Sequence, residues 1–368
     1  MKIALVVHDF DANYGQGRYC VELVRHLHSR AEFVIYSNTY HPPEGLPVTW
    51  RHVPTLRYNA LTTVFTFLPS AERMLRRDRP DLIHAQGLTG WSADIITGHI
   101  CNAARGRRLR TQDTRPHLFI KLVTPFERAF YRQQRASRLI AISNTLATEM
   151  REEYGWNKGV SIIYHGTNTD QFRPPHDDAE WAALRTKYQI PLDRWAWLFM
   201  GEAVKGLEEV IEQLPSFPQA HLLVVTRSDL RRYRARAEEL RVTDRITFHG
   251  FEPKSEDAFR AADVFVYPND YDPFGMVATE AMATGIAVIL GRTIGAAELV
   301  THGQNGLLCE PHDAVSMHAQ LQQLAQDPAA SRRIGLAARA TIQQHTWQVC
   351  AAETWAVYEQ VLKEKSRP

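Results

Sequence analysis

Two runs of short apolar strands alternating with helical stretches, separated by a charged segment containing two prolines, constrain this chain more than any other feature. The first run opens at Ile3-Ala4-Leu5-Val6-Val7 and passes through a polar loop, Asp11 to Gly17, into a stretch with Cys20, Leu23, Val24 and Leu27 at helical spacing. Further strands are expected over 32–36, 81–85, 138–143 and 160–164, with helices over 71–79 and 144–154. The segment Phe172-Arg173-Pro174-Pro175-His176-Asp177-Asp178 has the composition of a linker, and after it the pattern restarts. Strands are predicted over 195–200, 221–226, 245–248, 264–268 and 287–290, helices over 207–214 and within 269–284, and a helical tail over 331–363. Strands alternating with helices imply parallel sheets, hence an α/β chain of two similar domains. Ligands of open parallel sheets bind outside the carboxyl ends of the strands, so two such domains are expected to share a cleft.

A length of 368 residues agrees with two domains. Hydrophobic residues at 44%, charged residues at 23% and scattered Gly and Pro exclude collagenous, low-complexity and disordered classes. No apolar run approaches the roughly 20 residues of a membrane span, and Met1-Lys2 leads directly into a strand, so a cytoplasmic location is expected. Cys20, Cys101, Cys309 and Cys350 lie far apart with no C-x-x-C pair, which points to neither a disulfide framework nor a zinc site. The net charge of +2 hides an asymmetry: 23 Lys+Arg against 15 Asp+Glu up to Pro174, and 20 against 26 after it. A basic first half suits anionic lipid, nucleic acid or a phosphorylated acceptor; solvated helix faces are the plain alternative.

The segment richest in chemistry is Asp272-Pro273-Phe274-Gly275-Met276-Val277-Ala278-Thr279-Glu280-Ala281-Met282-Ala283-Thr284-Gly285-Ile286-Ala287-Val288-Ile289. A loop turning into a helix leaves free backbone amides near Phe274, Gly275, Met276 and Val277, where an anion can bind. The segment resembles the E-x7-E signature of retaining glycosyltransferases of family 4, EPFGLVxLEAMAxGxPVI, with Asp272 and Glu280 in its acidic places. The resemblance implies that the amides meet the diphosphate of an activated sugar, that Asp272 accepts hydrogen bonds from sugar hydroxyls, and that Glu280, about two turns on, holds the ribose diol.

Other resemblances to that family occur in its own order along nearly the whole chain. Tyr14-Gly15-Gln16-Gly17-Arg18-Tyr19 is similar to the family's first glycine loop, where Gly15, Gln16 and Gly17 would lie beside the donor. Asp81-Leu82-Ile83-His84-Ala85-Gln86-Gly87 resembles a DxVHxHG strand end. Ala141-Ile142-Ser143, Tyr154-Gly155 and Ile163-Tyr164-His165-Gly166-Thr167-Asn168 resemble the passage that leads to the linker. Segments 292–300 and 303–308 resemble the family's stretch beyond the second acid. His99 stands where the family tends to place a sugar-contacting histidine; a structural histidine is the alternative. The next region carries Arg105, Arg107, Arg108 and Arg110, and with Thr124-Pro125-Phe126-Glu127-Arg128 looks like the lipopolysaccharide-core glucosyltransferase branch. Those arginines suit acceptor phosphates or an anionic membrane surface. The apolar stretch 61–69, beside Arg73, Arg76, Arg77 and Arg79, is either a membrane-docking surface or a buried element.

There is one departure. Where the family reads G-R-...-K-G, this chain has Gly201-Glu202-Ala203-Val204-Lys205-Gly206, keeping Lys205 but not the arginine that helps clamp the diphosphate. Glu202 is expected to point away, and Arg227 is a candidate replacement for the missing charge. Asp272 in place of Glu withdraws the carboxylate by about one carbon–carbon bond.

The resemblance implies a GT-B fold of two doubly wound Rossmann-like domains: 1–174, joined by the C-terminal helix 347–368, on the acceptor side, and 175–346 binding the nucleotide sugar. It implies transfer with retention from a UDP- or GDP-hexose to an acceptor hydroxyl of a glycan, lipid-linked or small molecule, as in cell-envelope glycan, lipopolysaccharide or glycolipid synthesis. His99, Asp272 and Lys205 would act at the reacting centre, with Gly15 to Gly17, Arg227, Phe274 to Val277 and Glu280 holding the donor. No cofactor, metal or nucleic-acid partner is expected, although Asp270-Tyr271-Asp272 is formally a D-x-D, and peripheral contact with the inner membrane's cytoplasmic face stays open. The alternatives are a GT-B epimerase or phosphorylase, and a catalytically weak scaffold that binds a nucleotide sugar or a partner.

Overall fold

The computed structural model describes residues 1–13, 15–111 and 118–366, with residues 109–111 described by their backbone alone. The chain divides into two compact units, one formed by Met1–Gly166 with Trp347–Pro368 and the other by Thr167–Thr346.

The first unit begins with β1 (Lys2–Val6), β2 (Asp9–Asp11), α1 (Gly15–Leu27), β3 (Glu32–Ser37), β4 (Thr39–His41), β5 (Thr49–His52) and α2 (Ala60–Asp78). It continues through β6 (Leu82–Gln86), β7 (Ile95–Gly98), α3 (Asn102–Thr111), α4 (Leu118–Arg132), β8 (Arg138–Ala141), α5 (Asn144–Tyr154) and β9 (Gly159–Ile162). Seven strands form one sheet in the order β5-β3-β1-β6-β7-β8-β9, every neighbouring pair parallel, and β2 and β4 form a small parallel pair of their own. Ile3 to Val6 are fully buried, as expected of a central parallel strand covered by helices on both faces. α5 occupies 144–154 because Ser143 accepts the Leu146 amide at its start and Gly155, at φ 67°, ends it. α2 starts eleven residues before the expected helix, behind an Asn59–Thr62 capping box. The apolar stretch 61–69 is its amino-terminal half: Phe67 and Leu68 are buried, while Phe65 is 42% exposed.

The second unit contains α6 (Asp178–Lys187), β10 (Trp195–Met200), α7 (Leu207–Gln213), β11 (Ala220–Val225), α8 (Arg231–Glu239), β12 (Ile246–His249), α9 (Ser255–Ala261) and β13 (Val264–Tyr267). α10 (Met276–Thr284), β14 (Ala287–Gly291), β15 (Leu307–Cys309), α11 (Ala314–Gln326) and α12 (Pro328–Ile342) complete it. Its six parallel strands run β12-β11-β10-β13-β14-β15 around a core that includes Trp197, Phe199, Phe265 and Ile289.

Two boundaries differ from the sequence reading. The units divide at Gly166/Thr167, not at Pro174. Residues 167–174 pack onto the second unit: Phe172 joins its core, Thr167 Oγ1 donates to Thr279 Oγ1 at 2.8 Å, and Arg339 donates to the Phe172 carbonyl at 3.0 Å. The helical tail is two helices, α12 and, after a break at 343–346, α13 (Trp347–Lys365), which returns to the first unit and packs beside α1.

Candidate active site

The residues singled out by sequence fall into two sets, one in each unit. In the second unit, β11 and β12 extend the sheet on one side of β10 while β13, β14 and β15 extend it on the other. The loops leaving β10 and β13 therefore flank the point where strand order reverses, the usual ligand position in such sheets. Lys205 lies in the turn after β10, and its Nζ stands 3.0 Å from Asp272 Oδ2 in the loop after β13. Tyr267 OH donates to the same oxygen at 3.1 Å, Asn269 Nδ2 donates to Tyr267 OH at 3.3 Å, and the Phe274 amide donates to Asp272 Oδ1 at 3.3 Å. Burial first, then the Asp272 carboxylate, pushes the Tyr267 phenol well above its ordinary range, so it stays a donor. Asp270, the other acid of the D-x-D, lies 3.5 Å from His312 Nε2.

The acidic loop is held from behind by the segment after β14. Gly295 N donates to the Asp272 carbonyl at 2.9 Å, Ala296 N to the Phe274 carbonyl at 2.6 Å, and Thr293 Oγ1 to the Asp270 carbonyl at 2.7 Å. A Cβ at Gly295 would lie 2.2 Å from the Pro273 oxygen, and one at Gly291 would lie 2.0 Å from the Asn269 oxygen. Phe274 is buried and anchors the turn; Gly275, at φ 89°, opens α10 with no side-chain cap. The first amides of the helix, at Met276 and Val277, have no carbonyl four residues back within it. Glu280 lies on the second turn and is buried.

Glu202 is exposed, and after burial and the Asp272 carboxylate its charge also contributes to raising the Tyr267 phenol. Arg227, in the loop after β11, stacks its guanidinium 3.6 Å over the Phe251 ring.

In the first unit, His99 comes directly after β7, a strand too short to stand out in sequence, and Gln86 ends the neighbouring β6. His99 Nε2 lies 2.8 Å from Gln86 Oε1, and its ring meets Tyr19 edge-on at 5.4 Å and His165 at 5.5 Å. Burial, then the neighbouring His165, holds His99 well below the usual imidazole range, so it is neutral at pH 7. Beneath it runs a polar chain: Tyr358 OH to His84 Nδ1 at 2.7 Å, His84 Nε2 to Thr97 Oγ1 at 2.7 Å, Thr97 Oγ1 to Tyr19 OH at 3.3 Å, and Tyr19 OH to Thr354 Oγ1 at 3.4 Å. Burial pulls His84 and His165 down to about 3.

Gly15 and Gln16 open α1, and Tyr14 lies outside the described residues. Gly17 is also required by packing within the unit. A Cβ there would lie 2.3 Å from the Asp11 oxygen and 2.7 Å from the Asp9 oxygen, so glycine lets α1 pack on β2. Two of the arginines of α3 pair with acids on α5: Arg107 with Glu153 at 2.7 Å and Arg108 with Glu149 at 3.6 Å. Arg105 is half-buried on α3, and the Arg110 side chain lies outside the described residues. The four cysteines are buried and form no disulfide among the described residues.

Tyr267, Asn269 and Gln86 escaped the sequence reading. Tyr267 reads as part of a core strand and Asn269 as the start of the loop after it; Gln86 carried a usable signal, since it replaces the second histidine of DxVHxHG.

Comparison with known proteins agrees with both halves. Residues 14–171 match the family described as Glycosyltransferase Family 4, and residues 182–341 match the one described as Glycosyl transferases group 1. The chain belongs to glycosyltransferase family 4. A family relative, D-inositol 3-phosphate glycosyltransferase from Xylanimonas cellulosilytica, is 29% identical over 248 residues, 62% of this chain and 60% of its own length. This chain therefore spans less than two thirds of that relative. Sucrose-phosphate synthase from Thermosynechococcus elongatus superposes with a TM-score of 0.83 at 23% identity, covering 99% of this chain and 100% of its own. The Anabaena protein Alr3699/HepE, in complex with UDP and glucose, gives 0.76 at 16% identity, covering 98% and 100%. The fold shared by the family is GT-B.

Proposed function

We propose that the chain transfers a hexose, with retention, from a nucleotide-diphosphate sugar to an acceptor hydroxyl in cell-envelope glycan or glycolipid synthesis. The observation that carries this reading is the Lys205–Asp272 pair at the switch point of the second sheet, beside the opening of α10. The glycosyltransferase name of the Xylanimonas relative and the UDP and glucose held by the Anabaena protein support it.

In this reading the α10 amides and Lys205 take the diphosphate, Asp272 accepts from sugar hydroxyls, and Glu280 holds the ribose. Gly15 and Gln16 supply backbone near the donor, and His99 offers a neutral imidazole to a sugar hydroxyl. The bond between the anomeric carbon and the phosphate oxygen breaks as the acceptor oxygen bonds to the same face. The acceptor proton passes to the leaving phosphate, and a nucleoside diphosphate departs. Donors fixed around the phosphate stabilise the charge that develops there. A metal is not needed for this charge balance, and full turnover in excess chelator is the expected result. Among the described residues no helix is long and apolar enough to cross a membrane. Peripheral contact would use half-exposed Phe65 and the arginines of α2, and flotation with anionic liposomes at low salt tests it.

Glu202 in the arginine's place favours a second reading, a scaffold that binds a nucleotide sugar without turning it over. Thermal protection by a panel of UDP-, GDP- and ADP-sugars, paired with NMR detection of donor cleavage, separates the two. Protection with slow cleavage supports the enzyme, protection without cleavage even with acceptors present supports the scaffold, and no protection overturns both.

A further inference from the structure

Gln86 is 1% exposed, and its place is fixed by its own backbone: Gln86 N donates to Thr89 Oγ1 at 3.0 Å, and Thr89 Oγ1 donates to the Val6 carbonyl at 2.8 Å. Its side chain reaches one partner among the described residues, His99 Nε2 at 2.8 Å, while its amide Nε2 is buried with none. A neutral imidazole carries a single N–H. An amide oxygen only accepts, so the proton sits on His99 Nε2. His99 Nδ1 is left as a bare acceptor, and it has no hydrogen bond among the described residues. Tyr19, edge-on to the ring, hinders its turning. The outward nitrogen of His99 is thereby committed to receiving a hydrogen bond.

We propose that Gln86 is a positioning residue that locks His99 in its Nε2–H tautomer, so that His99 accepts a hydrogen bond from a hydroxyl of the bound sugar through Nδ1. This deepens, and for its catalytic consequence rests on, the reading of the chain as a glycosyltransferase. It predicts discrimination by chemistry: a sugar whose contacting hydroxyl is replaced by fluorine or a methoxy group, which cannot donate, loses the His99 interaction, whereas an amino group, which can donate, retains it.

The test has one arm that does not depend on turnover. In the full chain labelled with 15N-histidine, with the His99 signals assigned by His99→Asn, the expected state at pH 7 is a protonated Nε2 and a bare Nδ1. In Gln86→Glu, which keeps an accepting oxygen, Nε2 stays protonated and the ring titrates at higher pH. In Gln86→Leu the ring populates the other tautomer. Leucine also removes the buried amide nitrogen that has no partner, which offsets the loss of the oxygen's bond to His99, so the fold should tolerate it. A bare Nε2 in the parent chain, or an unchanged tautomer in Gln86→Leu, overturns the proposal.

The second arm measures kcat with the cleaved donor. Outer partners of functional imidazoles commonly matter by 10–100-fold, and a loss of roughly that size is expected for Gln86→Leu, with Gln86→Glu recovering part of it in a shifted pH profile. Unchanged kcat despite a changed tautomer overturns the catalytic role. If no donor is cleaved by the parent chain, the functional reading fails, and the nitrogen signals still decide the role of Gln86.

Discussion

Gly295→Ala offers the sharpest test of how the acidic loop is held. The new Cβ would lie 2.2 Å from the Pro273 oxygen and 2.8 Å from the Phe274 Cα, both backbone atoms with no rotamer to escape through. Contacts under 3.0 Å force a shift, so the Asp272–Phe274 turn must retreat by about 1 Å. Overpacking of this kind typically costs about 1–3 kcal/mol, or roughly 2–12 °C in the unfolding temperature of a unit this size. The catalytic penalty should be larger in proportion, because a displacement of about 1 Å in a positioned group can lower rates on the order of 100-fold. The Gly295 amide that donates to the Asp272 carbonyl at 2.9 Å moves as well, and the Lys205–Asp272 pair loses its geometry. Calorimetry and donor-transfer kinetics, with Gly250→Ala as a control in open space, provide the assay. Native unfolding temperature and native rate together would refute the wedge. A lowered unfolding temperature with native transfer would refute the loop's place in the site.

Lys205→Ala should weaken donor binding roughly 10–150-fold, the worth of one charge-assisted hydrogen bond to phosphate; calorimetric titration reads it, and unchanged affinity removes Lys205 from the diphosphate. Arg107→Ala should change stability by no more than about 1 kcal/mol and leave acceptor kinetics alone, because Arg107 is 59% exposed and already paired with Glu153; a large rise in acceptor KM would restore it as an acceptor ligand. Glu127 is buried against Tyr154 and Asn102, and burial pushes its carboxyl up to about 7 from an ordinary 4.5. Its raised value means the native state keeps a proton that the unfolded chain releases, so this contribution is complete below pH 4.5 and lost as pH rises through 7. Relative to the parent, Glu127→Gln should gain up to about 3 kcal/mol between pH 4 and 8 in denaturant titrations, and a pH-independent difference would contradict the assignment.

Sequence carried the architecture where burial writes a simple pattern. Trp195 to Met200 is apolar throughout because parallel neighbours and helices cover it, and its bounds were read correctly. β5 escaped because all four of its residues are exposed on the sheet edge, and β7 because Ile95 to Gly98 offers too few residues to show a period. Within the site, Asp272 and Lys205 were legible as chemistry, but their mutual pairing was not, since 67 residues separate them in the chain. The ion pairs of Arg107 and Arg108 were illegible for the same reason, their acids lying on a later helix. The packing need at Gly17 was equally hidden, since it is set by the backbone of Asp9 to Asp11 on a short strand with no period of its own.

The return of α13 to the first unit sets an order of events during synthesis. Thr167 N donates to the His345 carbonyl at 3.0 Å, and Thr167 bridges to Thr346, so the second unit begins and ends at one place and is a single continuous stretch of chain. It can fold as soon as its last residue leaves the ribosome. The first unit, begun earlier, must wait: Tyr19 and His84 are buried polar groups whose partners, Thr354 and Tyr358, come only after the whole second unit has been made. The nascent amino-terminal half therefore carries an open seam until α13 arrives.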